Sequence, residues 1–229
     1  MYGTLYIVPT PIGNLKDITI RALEVLNNVD FILCENPKNS LKLLNHYNIK
    51  KPLKSYNKKN EKKIYRKYLQ LLKENKNLAL ISDAGTPGIS DSGYLLIKKC
   101  IDEGIKIECL PGPTALIPSL LLSGFPTQPF AFWGFLPTKK KNKLLKHIFN
   151  FPFTSIIYES PHRLKKTLKL LEQNLNPNKK ICICKELTKT FETIIRGKIS
   201  EIPEKLNNII LKGEFVIIIE PQNIEAEKI

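Results

Sequence analysis

Leu78-Ala79-Leu80-Ile81-Ser82-Asp83-Ala84-Gly85-Thr86-Pro87-Gly88 is the stretch whose reading decides the fold. Four apolar residues follow the polar Lys76-Asn77 and end in turn formers, which reads as a buried strand. Gly85 and Gly88 allow backbone angles and close ligand approach that a side chain would block. Pro87 stiffens the turn. In parallel α/β sheets, ligands bind where a strand ends in such a loop. An ordinary strand-to-helix turn looks the same, so this loop alone leaves both readings open.

Two other stretches share the construction. Leu5-Tyr6-Ile7-Val8 runs into Pro9-Thr10-Pro11-Ile12-Gly13-Asn14, and Lys106-Ile107-Glu108-Cys109-Leu110 runs into Pro111-Gly112-Pro113-Thr114. None of the three loops has the glycine spacing of a P-loop or a dinucleotide fold, and none carries a lysine. Backbone-rich, cation-free loops suit a neutral or cationic ligand better than a phosphate.

Working outward, Phe31-Ile32-Leu33-Cys34 reads as another strand, ending at Glu35-Asn36-Pro37. Asp17 is the expected cap of a helix through Ile18, Ala22, Leu23, Val25 and Leu26. A lysine-rich helix is expected over residues 60–75, with a solvated polar face. Asp91 is the expected cap of a helix through Ile97 and Ile101, stopped at Gly104. Leu116, Leu120 and Leu121 mark one more helix. Strands thus alternate with helices up to residue 122, the pattern of a parallel sheet.

The turn-rich Ser123-Gly124-Phe125-Pro126-Thr127-Gln128-Pro129 marks a boundary, giving domains 1–122 and 123–229. Beyond it, strands are expected at residues 130–137, with Trp133 in the core, at Ser155-Ile156-Ile157-Tyr158 and at Ile181-Cys182-Ile183-Cys184. Further strands are expected at residues 191–195 and 215–219, with Arg196-Gly197 as a turn and a short helix at residues 202–206. Ser160 suits an N-cap and Pro161 a first helical position. The crowded strands indicate a second, mixed α/β domain.

The chain has 229 residues, 42% hydrophobic and 25% charged, an ordinary globular balance. Its apolar runs are too short to span a bilayer, and no signal-like leader is read, so neither membrane nor export is expected. Five cysteines without framework spacing point to a reducing cytoplasm. Cys182 and Cys184, two apart, share a strand face. Three scattered histidines give no zinc spacing, so no metal is expected. The net charge of +15 fits a polyanionic partner, although a chain rich in Lys, Asn and Ile gains part of it from codon bias. Lys139, Lys140, Lys141, Lys143 and Lys146 form the densest cluster.

Val8-Pro9-Thr10-Pro11-Ile12-Gly13-Asn14-Leu15, Ser82-Asp83-Ala84-Gly85-Thr86-Pro87 and Leu110-Pro111-Gly112-Pro113 together resemble the ribosomal RNA small subunit methyltransferase I family, of the tetrapyrrole methylase superfamily. Gly134-Phe135-Leu136-Pro137, Tyr158-Glu159-Ser160-Pro161-His162-Arg163 and Glu186-Leu187-Thr188-Lys189 extend the likeness over the whole chain. The resemblance implies a two-domain tetrapyrrole-methylase-like α/β fold with S-adenosylmethionine in the cleft between the domains. It implies 2′-O-methylation of a cytidine ribose in the decoding region of 16S rRNA, on the rRNA or the small ribosomal subunit, by a cytoplasmic homodimer. By the same carry-over Pro9, Thr10, Pro11, Gly13, Asp83, Ala84, Gly85, Thr86 and Pro87 line the donor site, with Pro113, Thr114 and Tyr158 near it.

Two departures stand out. Glu35-Asn36-Pro37-Lys38 replaces the family's usual Glu-Asp-Thr-Arg, and Ser92 replaces its usual proline. Methyl transfer to a ribose hydroxyl needs positioning and removal of a proton. Glu159, His162, Glu186 and Lys189 are the catalytic candidates, with Asp83 assigned to donor orientation and proton removal as its alternative. Lys139, Lys140, Lys141 and Arg163 are the expected phosphate contacts. The competing readings are a methylase of a small tetrapyrrole or another superfamily branch, and a non-catalytic RNA-binding relative. Pro-Thr-Pro-Ile-Gly-Asn in place of Gly-x-Gly-Pro-Gly-Asp-Pro after the first strand opposes the first, and the intact loops oppose the second.

Overall fold

The computed structural model describes residues 2–137, 141–207 and 209–222. The chain divides into two compact units, Met1–Thr114 and Ala115–Ile229.

The first unit runs β1 (Leu5–Ile7), α1 (Ile20–Asn28), β2 (Phe31–Cys34), α2 (Pro37–His46), β3 (Leu53–Ser55), α3 (Glu61–Lys73), β4 (Leu78–Ile81), α4 (Tyr94–Asp102) and β5 (Ile107–Cys109). Its strands lie in the order β3-β2-β4-β1-β5, every pair parallel. The central β4 is buried at all four positions. Ala79 and Ile81 join Val8, Leu26, Ile32 and Leu44 on one face. Leu78 and Leu80 join Leu5, Leu33, Leu72 and Leu96 on the other. Burial on both faces explains why β4 reads as an unbroken apolar run.

Local details differ from expectation. Thr19, not Asp17, caps α1, its hydroxyl accepting the Ala22 N–H at 3.1 Å. Gly93, at φ 129°, takes the N-cap of α4 instead of Asp91. Helix α2 and strand β3 hold few apolar residues and were not expected. Asn36 caps α2 by accepting the Lys38 N–H at 3.1 Å, and Pro37 opens the helix.

The second unit runs α5 (Leu116–Ser123), β6 (Phe130–Phe135), α6 (Lys141–Phe149), β7 (Thr154–Glu159), α7 (Pro161–Asn174), β8 (Lys180–Lys185), β9 (Thr193–Lys198), α8 (Ile202–Leu206) and β10 (Phe215–Ile219). The order is β6-β7-β10-β8-β9, with β6 and β7 parallel and the other pairs antiparallel. Leu145, Leu164, Leu168, Ile183, Ile202 and Ile217 build one core from strands and helices. Trp133 packs against it, with its indole N–H donating to Ser155 Oγ at 3.0 Å.

The expected boundary after residue 122 moves to Thr114/Ala115, because α5 packs on β8 and β10. Arg196 fastens that helix, its Nε donating to the Leu122 carbonyl at 2.8 Å. Arg196-Gly197, expected as a turn, lies inside β9. Cys182 and Cys184 share a buried face with their sulfurs 3.9 Å apart.

Candidate functional site

In a parallel sheet all strands end at one edge, so the loops after β4, β1 and β5, which are neighbours in that order, open side by side. They are also bonded together. Thr10 N–H donates to the Gly85 carbonyl and Gly85 N–H to the Thr10 carbonyl, both at 2.9 Å. The buried Thr10 hydroxyl donates to the Ser82 carbonyl at 3.0 Å, and Ser82 Oγ to the Gly85 carbonyl at 3.0 Å. Thr86 Oγ1 reaches the Pro113 carbonyl at 3.2 Å. A Cβ on Gly112 would stand 2.8 Å from Pro9 Cβ, so only glycine lets those two loops touch. Gly85 sits at φ +80°, which also requires its freedom.

The expected donor residues of the first unit therefore fall into three groups. Pro9, Thr10, Pro11, Gly85 and Pro87 are buried and hold the loops in shape, while Ala84, Thr86, Pro113 and Thr114 are half-buried. Gly13 and Asp83 are exposed. Asp83 is the charge these loops offer, and Asn39 of α2 donates to its Oδ2 at 2.8 Å. This set of apolar walls, backbone groups and one carboxylate fits a cationic sulfonium donor.

Ser92, one departure from the family pattern, meets Glu35, the residue that the other departing segment keeps. Ser92 N–H and Ser92 Oγ both donate to Glu35 Oε1, at 3.3 and 3.0 Å. Proline at position 92 would supply neither bond. Glu35 thus closes off β2, beside the loop that follows β4. The sequence reading named Glu35 and Ser92 without pairing them, and it missed Asn39. The signal that would have found Asn39 is Asn36-Pro37, an N-cap followed by a first helical residue.

A second cluster lies in the other unit. Glu159 at the end of β7 and Lys185 at the end of β8 both pair with Phe215, and Phe135 near the end of β6 pairs with Tyr158. The loops after β6, β7 and β8 therefore share one sheet edge. Glu159, His162, Arg163, Glu186 and Lys189 are gathered there. Lys139 and Lys140 lie outside the described residues, and Lys141 opens α6. Tyr158 meets Phe132 and Phe135 edge-on, at 4.7 and 5.6 Å between ring centres.

These side chains differ in what they are free to do. The Glu159 carboxylate is wholly buried and accepts from Thr167 Oγ1 at 2.5 Å and Ser160 N–H at 2.9 Å. Arg163 Nε lies 3.3 Å from it, and the other end of that guanidinium donates to the Leu136 carbonyl. Glu159 and Arg163 thus join the ends of β6 and β7 to α7. Arg163, expected at phosphates, is committed inward. Lys189 bridges Glu186 and Glu214, at 2.8 and 2.9 Å. Burial disfavours the Glu186 charge, but hydrogen bonds from Lys189 and the Glu214 N–H outweigh it and hold the carboxyl below its ordinary value. Burial likewise opposes the Lys189 charge, and its two carboxylates overcome this and raise it. That makes Lys189 a cation, not a base. His162 is the exposed member of the four.

The sequence model of the tetrapyrrole (corrin/porphyrin) methylases matches residues 4–203. The chain belongs to this family. Within it, the ribosomal RNA small subunit methyltransferase I of Hydrogenobaculum sp. (strain Y04AAS1) is 48% identical over 224 residues, 96% of either chain. The protein of the same name from Thermotoga maritima is 44% identical, over 95% of this chain and 98% of that one. Among solved structures, a Thermus thermophilus uroporphyrin-III C-methyltransferase complexed with S-adenyl homocysteine superposes with a TM-score of 0.65 at 19% identity. It covers 94% of this chain and 97% of that one, which shows a shared fold.

Proposed function

We propose that this chain methylates the 2′-hydroxyl of a cytidine ribose in the decoding region of 16S rRNA, with S-adenosylmethionine as donor. The observation that carries the reading is the bonded trio of loops at the carboxyl edge of the first sheet, in a chain so close to rRNA methyltransferases. When bound, S-adenosylmethionine supplies an electrophilic methyl on a sulfonium.

The chain's own residues then have distinct tasks. Loops 9–14, 82–88 and 111–114 hold the donor through backbone groups and apolar walls. Asp83, oriented by Asn39, faces positive charge. In the second unit Glu159 and Arg163 keep the acceptor edge in shape. Lys189, paired with Glu186 and Glu214, fastens the loop after β8 to the start of β10. His162, exposed at the same sheet edge, is assigned the hydroxyl proton. A cytoplasmic homodimer is proposed on the resemblance alone.

The reading is tested by mapping ribose methylation on 16S rRNA and on small subunits incubated with protein, with and without donor. A donor-dependent mark on a decoding-region cytidine is expected. No donor-dependent ribose mark would sink the reading. For His162, His162→Gln should lower kcat with donor affinity unchanged; a native kcat would remove His162 from proton transfer.

A further inference from the structure

Helix α7 carries its positive charge ahead of any acid along its length. Its first turn contains no acid and its last turn no base. His162, Lys165, Lys166 and Lys169 are all exposed, while Leu164, Thr167, Leu168 and Leu171 are buried. At about 100° per residue the four exposed residues fall within an arc of roughly 100°, a stripe about 10 Å long. The first acid along the helix is Glu172. None of the ion pairs among the described residues uses the three lysines.

Lys165 and Lys169 are like charges four residues apart, which costs a helix about 0.2–0.5 kcal/mol, so helix stability does not account for them. The other lysine-rich helix, α3, makes a useful contrast. It opens with Glu61 and ends with Lys73, which pairs with Glu103. The stripe of α7 also starts at the sheet edge that carries His162 and Lys189. Beside it, α6 shares the same core and exposes Lys146 and His147.

We propose that Lys165, Lys166 and Lys169 form a docking track for the phosphodiester backbone of the rRNA, leading away from that sheet edge along α7. The proposal rests on the rRNA methyltransferase reading. Ammonium groups on flexible stems act as point charges on phosphates and read no base, so the track positions the RNA without selecting sequence. The three lysines span about 6 Å of the helix axis and offer one phosphate contact each.

The test compares two triple variants with the same charge loss. One is Lys165→Gln/Lys166→Gln/Lys169→Gln on α7. The other is Lys62→Gln/Lys63→Gln/Lys67→Gln on α3, also exposed. Glutamine keeps helix propensity close to that of lysine. Binding to 16S rRNA and to the small subunit is measured against salt. Each phosphate contact contributes about 0.7–0.9 to the slope of log affinity on log salt. The α7 variant should lose about 2–3 from that slope and bind at least about 100-fold more weakly at 0.1 M salt. Its KM for subunits should rise, with kcat at saturation and donor affinity unchanged. The α3 variant should keep the native slope.

Equal losses in both variants would overturn the proposal, since general charge would then carry the effect. So would a native slope in the α7 variant. Weakened subunit binding with native binding to naked rRNA would also overturn it, by pointing to a protein partner. Each outcome is distinct from failure of the methyltransferase reading, which shows as absent methylation by the unaltered protein.

Discussion

Replacing Glu159 separates packing from chemistry. Its carboxylate is buried, accepts hydrogen bonds from Thr167 and Ser160, and forms an ion pair with Arg163. Each hydrogen bond to a charged group contributes about 1.5–3 kcal/mol, offset in part by the cost of burying the charge. Removing one partner of a buried pair typically costs about 3–5 kcal/mol. Arg163 retains 29% side-chain exposure, so water takes over some of its needs. That places Glu159→Ala near the lower end, about 3 kcal/mol. Glu159→Gln keeps the shape and one acceptor and should cost about 1–2 kcal/mol. The one tryptophan, Trp133, stands in the second unit and reports its unfolding in denaturant. The alanine variant should shift that transition while donor binding persists, and its activity should follow its folded fraction. Abolished methylation with an unshifted Trp133 transition would refute the reasoning and make Glu159 a catalytic group.

Other outcomes follow from the same geometry. Gly112→Ala should drive Pro9 from its seat and weaken donor binding by about 1–3 kcal/mol in calorimetry; native affinity would break the link between those loops and the donor. Asp83→Ala should weaken donor binding about tenfold and Asn39→Ala less, and unchanged affinity in the first would remove Asp83 from the site. The lowered Glu186 adds stability that is present above about pH 4.3 and lost as the pH falls through its folded value. The raised Lys189 adds stability that is present below about pH 10.4 and lost as the pH rises through its folded value. Trp133-detected stability should therefore drop at both extremes, and Glu186→Gln should flatten both arms.

The parts of the fold written in local chemistry were legible in the sequence. β4 and β1 show as apolar runs because both their faces are buried, and proline and glycine mark the loops that follow them. Helix α2 was not, because three leucines are its only large apolar residues and its start was read as a motif fault. Arg196-Gly197 read as a turn, yet Arg196 is held by the Leu122 carbonyl, a contact 74 residues away in sequence. The same long-range contacts moved the unit boundary by drawing α5 onto β8 and β10. In the candidate site, residue types announced Asp83 and the three loops. They did not announce that Glu159 is buried, since that depends on Thr167 turning back toward it one helical face later. Nor did they show that Ser92 answers Glu35, because the two meet across neighbouring strands 57 residues apart in sequence.

The central claim is that the joined loops serve methyl transfer to a ribose of the small-subunit rRNA. The most direct measurement is the ribose methylation map of 16S rRNA and small subunits treated with this protein, with and without S-adenosylmethionine. The account predicts one donor-dependent 2′-O-methyl mark on a cytidine of the decoding region, lost in Gly112→Ala at limiting donor. A map with no donor-dependent ribose mark, on either the free rRNA or the assembled subunit, would contradict it.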